Sequence, residues 1–338
     1  MPSDFLPAAD PLLRGAPLAW SAELPVLGLA TRFESNSRVV GELVEEAFGA
    51  WRELAGEGDA SAGLRVRVIV HEGDEGGQHD GGHAPVRHIC PDAERVIIHS
   101  PGSVAVSDPA HAEAVAYVSS ALLADRAHCR AALLEAVTLA LLSHFDRHPL
   151  HAAAVAHDGG ALLLAGPSGS GKSTLACLAH EAGLDVLGDD RVWVQRAPRL
   201  RIWGWPGRAR LLPETATHFP ALARAGTPSL VDGKVKLAVT LGDATRPRRF
   251  RAERAVVCLL ERARGRATLT AVAPAEVERA LAGPPEPGFD RFPVRHAAVA
   301  RALATDGGWR LTLSDDPRDA LPLVRRMLGI TGAGGRGG

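Results

Sequence analysis

Eight consecutive residues, Gly166-Pro167-Ser168-Gly169-Ser170-Gly171-Lys172-Ser173, fit the pattern G-x-x-x-x-G-K-[ST]. Glycines at these positions let the backbone turn tightly, so that successive N–H groups converge on one anion. Lys172 would reach the terminal phosphates of a nucleotide, Ser173 would hold Mg²⁺, and the loop through Thr174 would cradle the phosphate chain. An apolar, strand-like run (Ala161 to Ala165) precedes the loop. An apolar-periodic helix carrying Leu175, Leu178, Ala179 and Ala182 follows it, and its dipole adds to the attraction for phosphate. The chemistry expected is that of a nucleoside triphosphate bound with Mg²⁺.

Two further features bracket the loop. Upstream, Ala152 to His157 and Ala161 to Ala165 are both strand-like and are separated only by Asp158-Gly159-Gly160. So short a connection allows a hairpin and forbids the crossover of a parallel pair. With Asp158-Gly159 or Gly159-Gly160 as the turn, His151 falls opposite a residue between Gly166 and Ser168, at the phosphate end. Downstream, a Gly183 stop and a strand from Leu184 to Leu187 lead to Asp189-Asp190, and that strand is expected beside the one entering the loop. One carboxylate of such a pair can hold Mg²⁺ or its water. The other can accept a proton from an attacking hydroxyl.

Histidine at a strand start, hairpin, G-x-S-G-x-G-K-S, helix and G-x-x-x-x-x-DD-x-V together resemble the catalytic domain of bacterial HPr serine kinase/phosphorylase, whose fold is shared with ATP-type phosphoenolpyruvate carboxykinases. The resemblance implies an α/β fold of that P-loop kinase type with a mixed sheet. It implies Asp190 as the base, His151 and Lys172 in the active site, and Ser173 as a Mg²⁺ ligand, which leaves Asp189 to the metal. It also implies a homo-oligomer. About forty residues match closely, a looser pattern runs to about Leu328, and the amino-terminal half is not covered. The family's glutamate-containing E-I-R-G-x-G loop is absent: Ile202-Trp203-Gly204-Trp205-Pro206-Gly207 stands in a comparable place without a Glu, and Glu214 is a candidate substitute. That departure counts against phosphorylase activity and against HPr as the substrate. Carboxykinase activity is not expected, the chain being much shorter than those enzymes.

The resulting expectation is an ATP- and Mg²⁺-dependent kinase acting on a hydroxyl, a serine of a small protein or peptide. The alternatives are a nucleotide-sensing ATPase or regulator without an acceptor, and a small-molecule kinase. Lys234 and Lys236, on a hairpin turned at Asp232-Gly233, are candidates to face the transferring phosphate, with Lys234 preferred because it directly follows the turn. Arg246, Arg248, Arg249, Arg251 and Arg254 form a basic cluster, read as a solvated face or an arginine finger. His71, His79, His83, His88 and Cys90 are too irregularly spaced for a zinc site, and Trp203 and Trp205 suit either core packing or stacking on a base. No L-S-G-G-Q, N-K-x-D, H-R-D or D-F-G stretch supports a transport ATPase, a guanine-specific protein or a eukaryotic-type kinase; Asp185 to Gly188 fits D-x-x-G by chance.

The elements that must position these groups belong to a chain of 338 residues with a net charge of −1, which offers no general attraction for nucleic acid or anionic membrane. No apolar run is long enough to span a bilayer and no signal peptide is apparent, so the default location is cytoplasmic. The four cysteines form no C-x-x-C pair, and Cys177 and Cys258 read as reduced core residues. Residues 1–148 read as an α+β domain smaller than the kinase domain at 149–330, and 331–338 as a disordered Gly-rich tail. In the first domain, Leu24 to Ala30 reads as one strand, Ser37 to Leu54 as a helix with Val39, Leu43, Ala47 and Trp51 inward, and Leu64 to His71 as a strand. Asp125 to Phe145 reads as a helix capped by Asp125. In the second, Ala255 to Leu260 is expected as a buried strand partnered by Ala267 to Ala271.

Overall fold

The computed structural model describes residues 17–54, 59–72, 83–92, 94–205, 209–231, 234–241, 249–283 and 292–330. The amino-terminal arm, most of the loop from Glu72 to His83, the Asp232-Gly233 turn, Arg246, Arg248, His79 and the terminal tail lie outside these residues. So does the side chain of Lys234. The chain divides into two compact units, Met1–Phe145 and Asp146–Gly338. Both are mixed α/β, and among the described residues no helix is long and apolar enough to cross a membrane.

The first unit is built on a seven-stranded mixed sheet. Its strands are β1 (Trp20–Val26), β2 (Leu29–Ser35), β3 (Asp59–His71), β4 (Arg87–Ile89), β5 (Val96–Ser100), β6 (Ser103–Asp108) and β7 (Glu113–Ser119), in the order β1-β2-β3-β7-β6-β5-β4. The single strand expected over Leu24 to Ala30 is in fact a hairpin, broken at Leu27-Gly28, where both residues have positive φ. A leucine at φ 49° gives no turn signal in the sequence. The helix Arg38–Phe48 connects β2 to its parallel neighbour β3, and a 3-10 turn carries it on to Leu54. Val40, Leu43, Val44, Ala47 and Phe48 face inward, whereas Val39 is exposed. Asp125 caps the next long helix as expected, its carboxylate accepting from His128 N. That helix includes a π-helical turn at Cys129–Glu135 before Ala136–Ser143.

The second unit holds the loop. Its strands are β8 (His148–Leu150), β9 (Ala153–His157), β10 (Gly160–Ala165), β11 (Asp185–Gly188), β12 (Val192–Gln195), β13 (Arg201–Trp203), β14 (Ala209–Leu211), β15 (Thr227–Val231), β16 (Lys234–Val239), β17 (Arg251–Ala252), β18 (Arg254–Arg262), β19 (Thr268–Val272) and β20 (Gly308–Leu313). Six of them form the central sheet, in the order β11-β9-β10-β18-β20-β19. β9 runs antiparallel to β10 and to β11; β10, β18 and β20 are mutually parallel. Smaller sheets, β17-β13-β12-β8 and β14-β16-β15, flank it.

β10 shows why the strand entering the loop is apolar throughout. Leu162 and Leu164 face a cluster with Leu175, Leu178, Phe219 and Leu311, on the side of the helix Lys172–Glu181. Ala161, Leu163 and Ala165 face the opposite cluster, with Val257, Val299 and Leu303. A strand covered on both faces has no polar side to show. Cys177 and Cys258 are buried in the first of these layers and are free thiols. Two expected pairings differ from the structure. β11 lies beside β9 and not beside the loop strand, whose other neighbour is β18. β19 pairs with β20 and not with β18. In both cases a strand more distant in sequence takes the central place, a choice made by packing and not by local pattern.

Candidate active site

The β9–β10 hairpin turns on Asp158-Gly159, both at positive φ (45° and 73°), with Gly160 opposite His157. Left-handed angles at both turn positions match the strand twist, which is why an Asp-Gly pair stands there. Pairing runs to Ala153 opposite Leu164. The chain leaves the sheet one residue later and places His151 at the loop end of the strand, where its ring lines the cleft. Its Nδ1 lies 3.7 Å from Asp190 Oδ1.

The loop itself needs its glycines. Gly166, Gly169 and Gly171 have φ of 156°, 84° and 106°. A Cβ on Gly171 would also meet Leu313 Cδ1 at 2.5 Å. Gly171 occupies the N-cap of the helix Lys172–Glu181 without any side-chain cap, so the first N–H groups face the cleft with no side-chain acceptor from the cap. Lys172 is buried, and its Nζ donates to Gly166 O at 2.6 Å and Pro167 O at 3.2 Å. The amine thus rests on the loop's own carbonyls, at the end where terminal phosphates would compete for it.

β11 delivers the two carboxylates. Its register with β9 shifts between Val186 and Gly188, a bulge that re-aims the chain just before Asp189. Gly188 is obligatory there, since a Cβ would lie 2.5 Å from Arg191 O. Asp189 points inward and is buried, whereas the Asp190 side chain is 39% exposed on the cleft. Asp189 Oδ2 accepts from Arg210 N at 2.8 Å, and Oδ1 is buried with no hydrogen bond. Burial pushes the Asp189 carboxyl up to about 6; the Arg210 N–H and the nearby Ser173 hydroxyl favour its charged form, Asp190 opposes it, and Lys236 favours it.

An orphaned, buried carboxylate oxygen next to a hydroxyl is a place suited to a hard cation. Among the described residues no group of three His, Cys, Asp or Glu side chains could hold a metal. Nor do the described members of the irregular His/Cys set in the first unit gather into a metal cluster.

The cleft has a volume of about 290 Å³ and is lined by His151, Ser168, Gly169, Gly171 to Thr174 and Asp190, with Arg210, Glu214, Lys236, Arg262 and Asp315 around them. Arg210, Lys236 and Arg262 are the contributions that sequence reasoning misses or ranks second. Arg210 and Lys236 come together through β14 and β16, where Arg210 pairs with Ala238 and Leu211 with Leu237. Arg262 arrives because Leu259 lies opposite Ala165 in the parallel β10–β18 pair, so β18 continues alongside the loop. The described members of the basic cluster go elsewhere. Arg249 pairs with Asp185, Arg251 with Glu253, and Arg254 donates to Asp158 O. Trp203 is core, its Nε1 donating to Gln195 Oε1. Glu214, the candidate substitute carboxylate, does line the cleft.

No family model matches the sequence, and no curated protein matches it. Among solved structures, the chain is similar to the Hpr(Ser) kinase/phosphatase from Coxiella burnetii, with 13% identity and a TM-score of 0.27, over 54% of this chain and 94% of that one. At that distance the likeness assigns no role to any residue of this chain.

Proposed function

We propose that this protein is a P-loop kinase of HPr-kinase-like type that uses ATP and Mg²⁺ to phosphorylate a hydroxyl, the serine of a small protein or peptide. The observation that carries the reading is the convergence of three separate stretches at one cleft: His151, the Gly166–Thr174 loop with its buried lysine, and Asp189-Asp190, of which Asp190 lines the cleft 3.7 Å from His151 and Asp189 lies buried near Ser173 with one oxygen orphaned. Binding alone would need the loop. It would not need a partly exposed carboxylate beside a histidine at the terminal-phosphate end.

In this reading Ser168 to Thr174 hold the phosphates through backbone N–H groups, and Lys172 exchanges the Gly166 and Pro167 carbonyls for phosphate oxygens. Ser173 and Asp189 would hold Mg²⁺, which supplies charge neutralisation to the phosphates. The acceptor oxygen forms a bond to the γ-phosphorus as the bond to the bridging oxygen of ADP breaks, and the acceptor proton passes to Asp190. His151 holds the Asp190 carboxylate in position. Lys236, Arg210 and Arg262 stabilise charge that spreads over the transferring group.

Purified protein given ATP, Mg²⁺ and serine-containing peptides is expected to yield phosphoserine peptides and ADP in equal amounts. ATP binding with no phosphorylated product from any peptide would contradict the reading and favour a nucleotide-responsive regulator.

A further inference from the structure

A second cavity of about 350 Å³ adjoins the candidate phosphate cleft. The two share His151, and the second is closed on one side by Ala165, Gly166 and Pro167, the start of the loop. The carbonyls of Gly166 and Pro167 are the two on which Lys172 Nζ rests. The amine that grips terminal phosphates therefore marks the end of the cleft at which this cavity opens. β18 borders both spaces in turn: Leu259 to Glu261 line the cavity and Arg262 lines the phosphate cleft.

What the cavity offers is apolar. Leu150, Ala165, Leu259, Leu260, Ala280 and Leu281 wall it. Apart from His151, which lies 3.7 Å from Asp190, its polar side chains are engaged within the fold. Arg310 pairs with Glu276 and with Glu261, Glu261 Oε1 also accepts from Thr312, and His296 Nε2 is bonded to Leu281 O at 2.9 Å. A charged ligand would have to break these pairs, whereas an aliphatic or aromatic side chain would displace only solvent.

We infer that this cavity is a specificity pocket for the acceptor: it seats an apolar side chain at one fixed position beside the serine that is phosphorylated. The inference rests on the kinase reading and adds the class of peptide. The test uses the full chain, ATP, Mg²⁺ and serine-centred peptide libraries with each amino acid fixed in turn at positions −3 to +3. Leu, Ile, Met or Phe at one position is expected to be preferred over Gly or Asp there by about tenfold or more, the range a hydrophobic pocket can supply. Ala280→Trp, at an exposed wall position, is expected to reduce that preference, measured within the variant, to less than about twofold. Gly283→Leu gives a second obstruction that the backbone tolerates, since an added Cβ meets nothing closer than Ala280 O at 3.4 Å. Phosphopeptides formed without an apolar preference at any position, or a preference untouched in both variants, would overturn the pocket and leave the kinase reading standing. No phosphopeptide from any library would overturn both.

Discussion

Asp189 and Asp190 are adjacent in sequence and occupy opposite surroundings. Asp190 sits partly exposed on the cleft beside His151, where, in the proposed reaction, it would meet the incoming hydroxyl. Asp189 is buried, with one oxygen bonded to Arg210 N and the other left without a hydrogen bond. Asp189→Asn can keep the bond from Arg210 N and removes a buried charge whose burial outweighs the support of the Arg210 N–H, Ser173 and Lys236. Its melting temperature without Mg²⁺ is therefore expected to hold or rise, while phosphoryl transfer falls by roughly 10²–10³. A clear loss of thermal stability would mean that the carboxylate serves the fold. Lys172→Ala removes the amine now resting on the loop carbonyls and is expected to lower kcat/KM for ATP by about 10²-fold or more, measured in steady-state assays.

Among the elements, the β9–β10 hairpin aligns His151 with the loop, and its turn is the most local of the site's supports. Gly159 has φ 73° and open space around it, so Gly159→Ala meets no clash and pays only for the left-handed backbone. The expected cost is about 1 kcal/mol, read from denaturant midpoints, with the pairing retained. Gly171→Ala is a different case, because strain is joined by a 2.5 Å contact with Leu313 at the helix N-terminus. Nucleotide affinity is expected to drop sharply there, as calorimetry would show. These supports were legible in the sequence because each is written locally: a two-residue turn between apolar runs, glycines at loop spacing, an aspartate pair after a helix stop. Of the cations across the cleft, Lys236 was a second choice on its hairpin, and the other two were not legible. Arg210 and Arg262 are delivered by strand pairings that skip over long stretches, and no pattern near either announces its neighbours. The same holds for β11 and β19, each displaced by one strand from its expected neighbour. Leu27 shows the converse, a tight turn made by a residue type that does not advertise one.

For the molecule as a whole, acid stability offers a check on how the second unit begins. Asp146 has positive φ, and its Oδ2 accepts from Arg196 N and Ala197 N at 2.7 and 2.6 Å. Burial pushes its carboxyl up, but His148 and the two backbone N–H groups outweigh that and hold it at about 2. A depressed folded value means stabilisation that is fully present above the ordinary carboxylate range and lost as pH falls through about 2. The contribution is of order 1–2 kcal/mol after allowance for solvent screening. Urea midpoints of Asp146→Asn are expected to lie below wild type near pH 6 and to converge with it near pH 2; parallel curves would contradict the assignment. At this scale one unit brings a candidate phosphate loop, a candidate cation site and a candidate base to the same edge of a mixed sheet. The most direct measurement compares wild type and Asp190→Asn for ATP affinity and for phosphoserine formation on the same peptides. ATP dissociation constants within about threefold and transfer reduced by roughly 10²–10⁴ are the predicted result. Transfer undiminished in Asp190→Asn would contradict a base at that position.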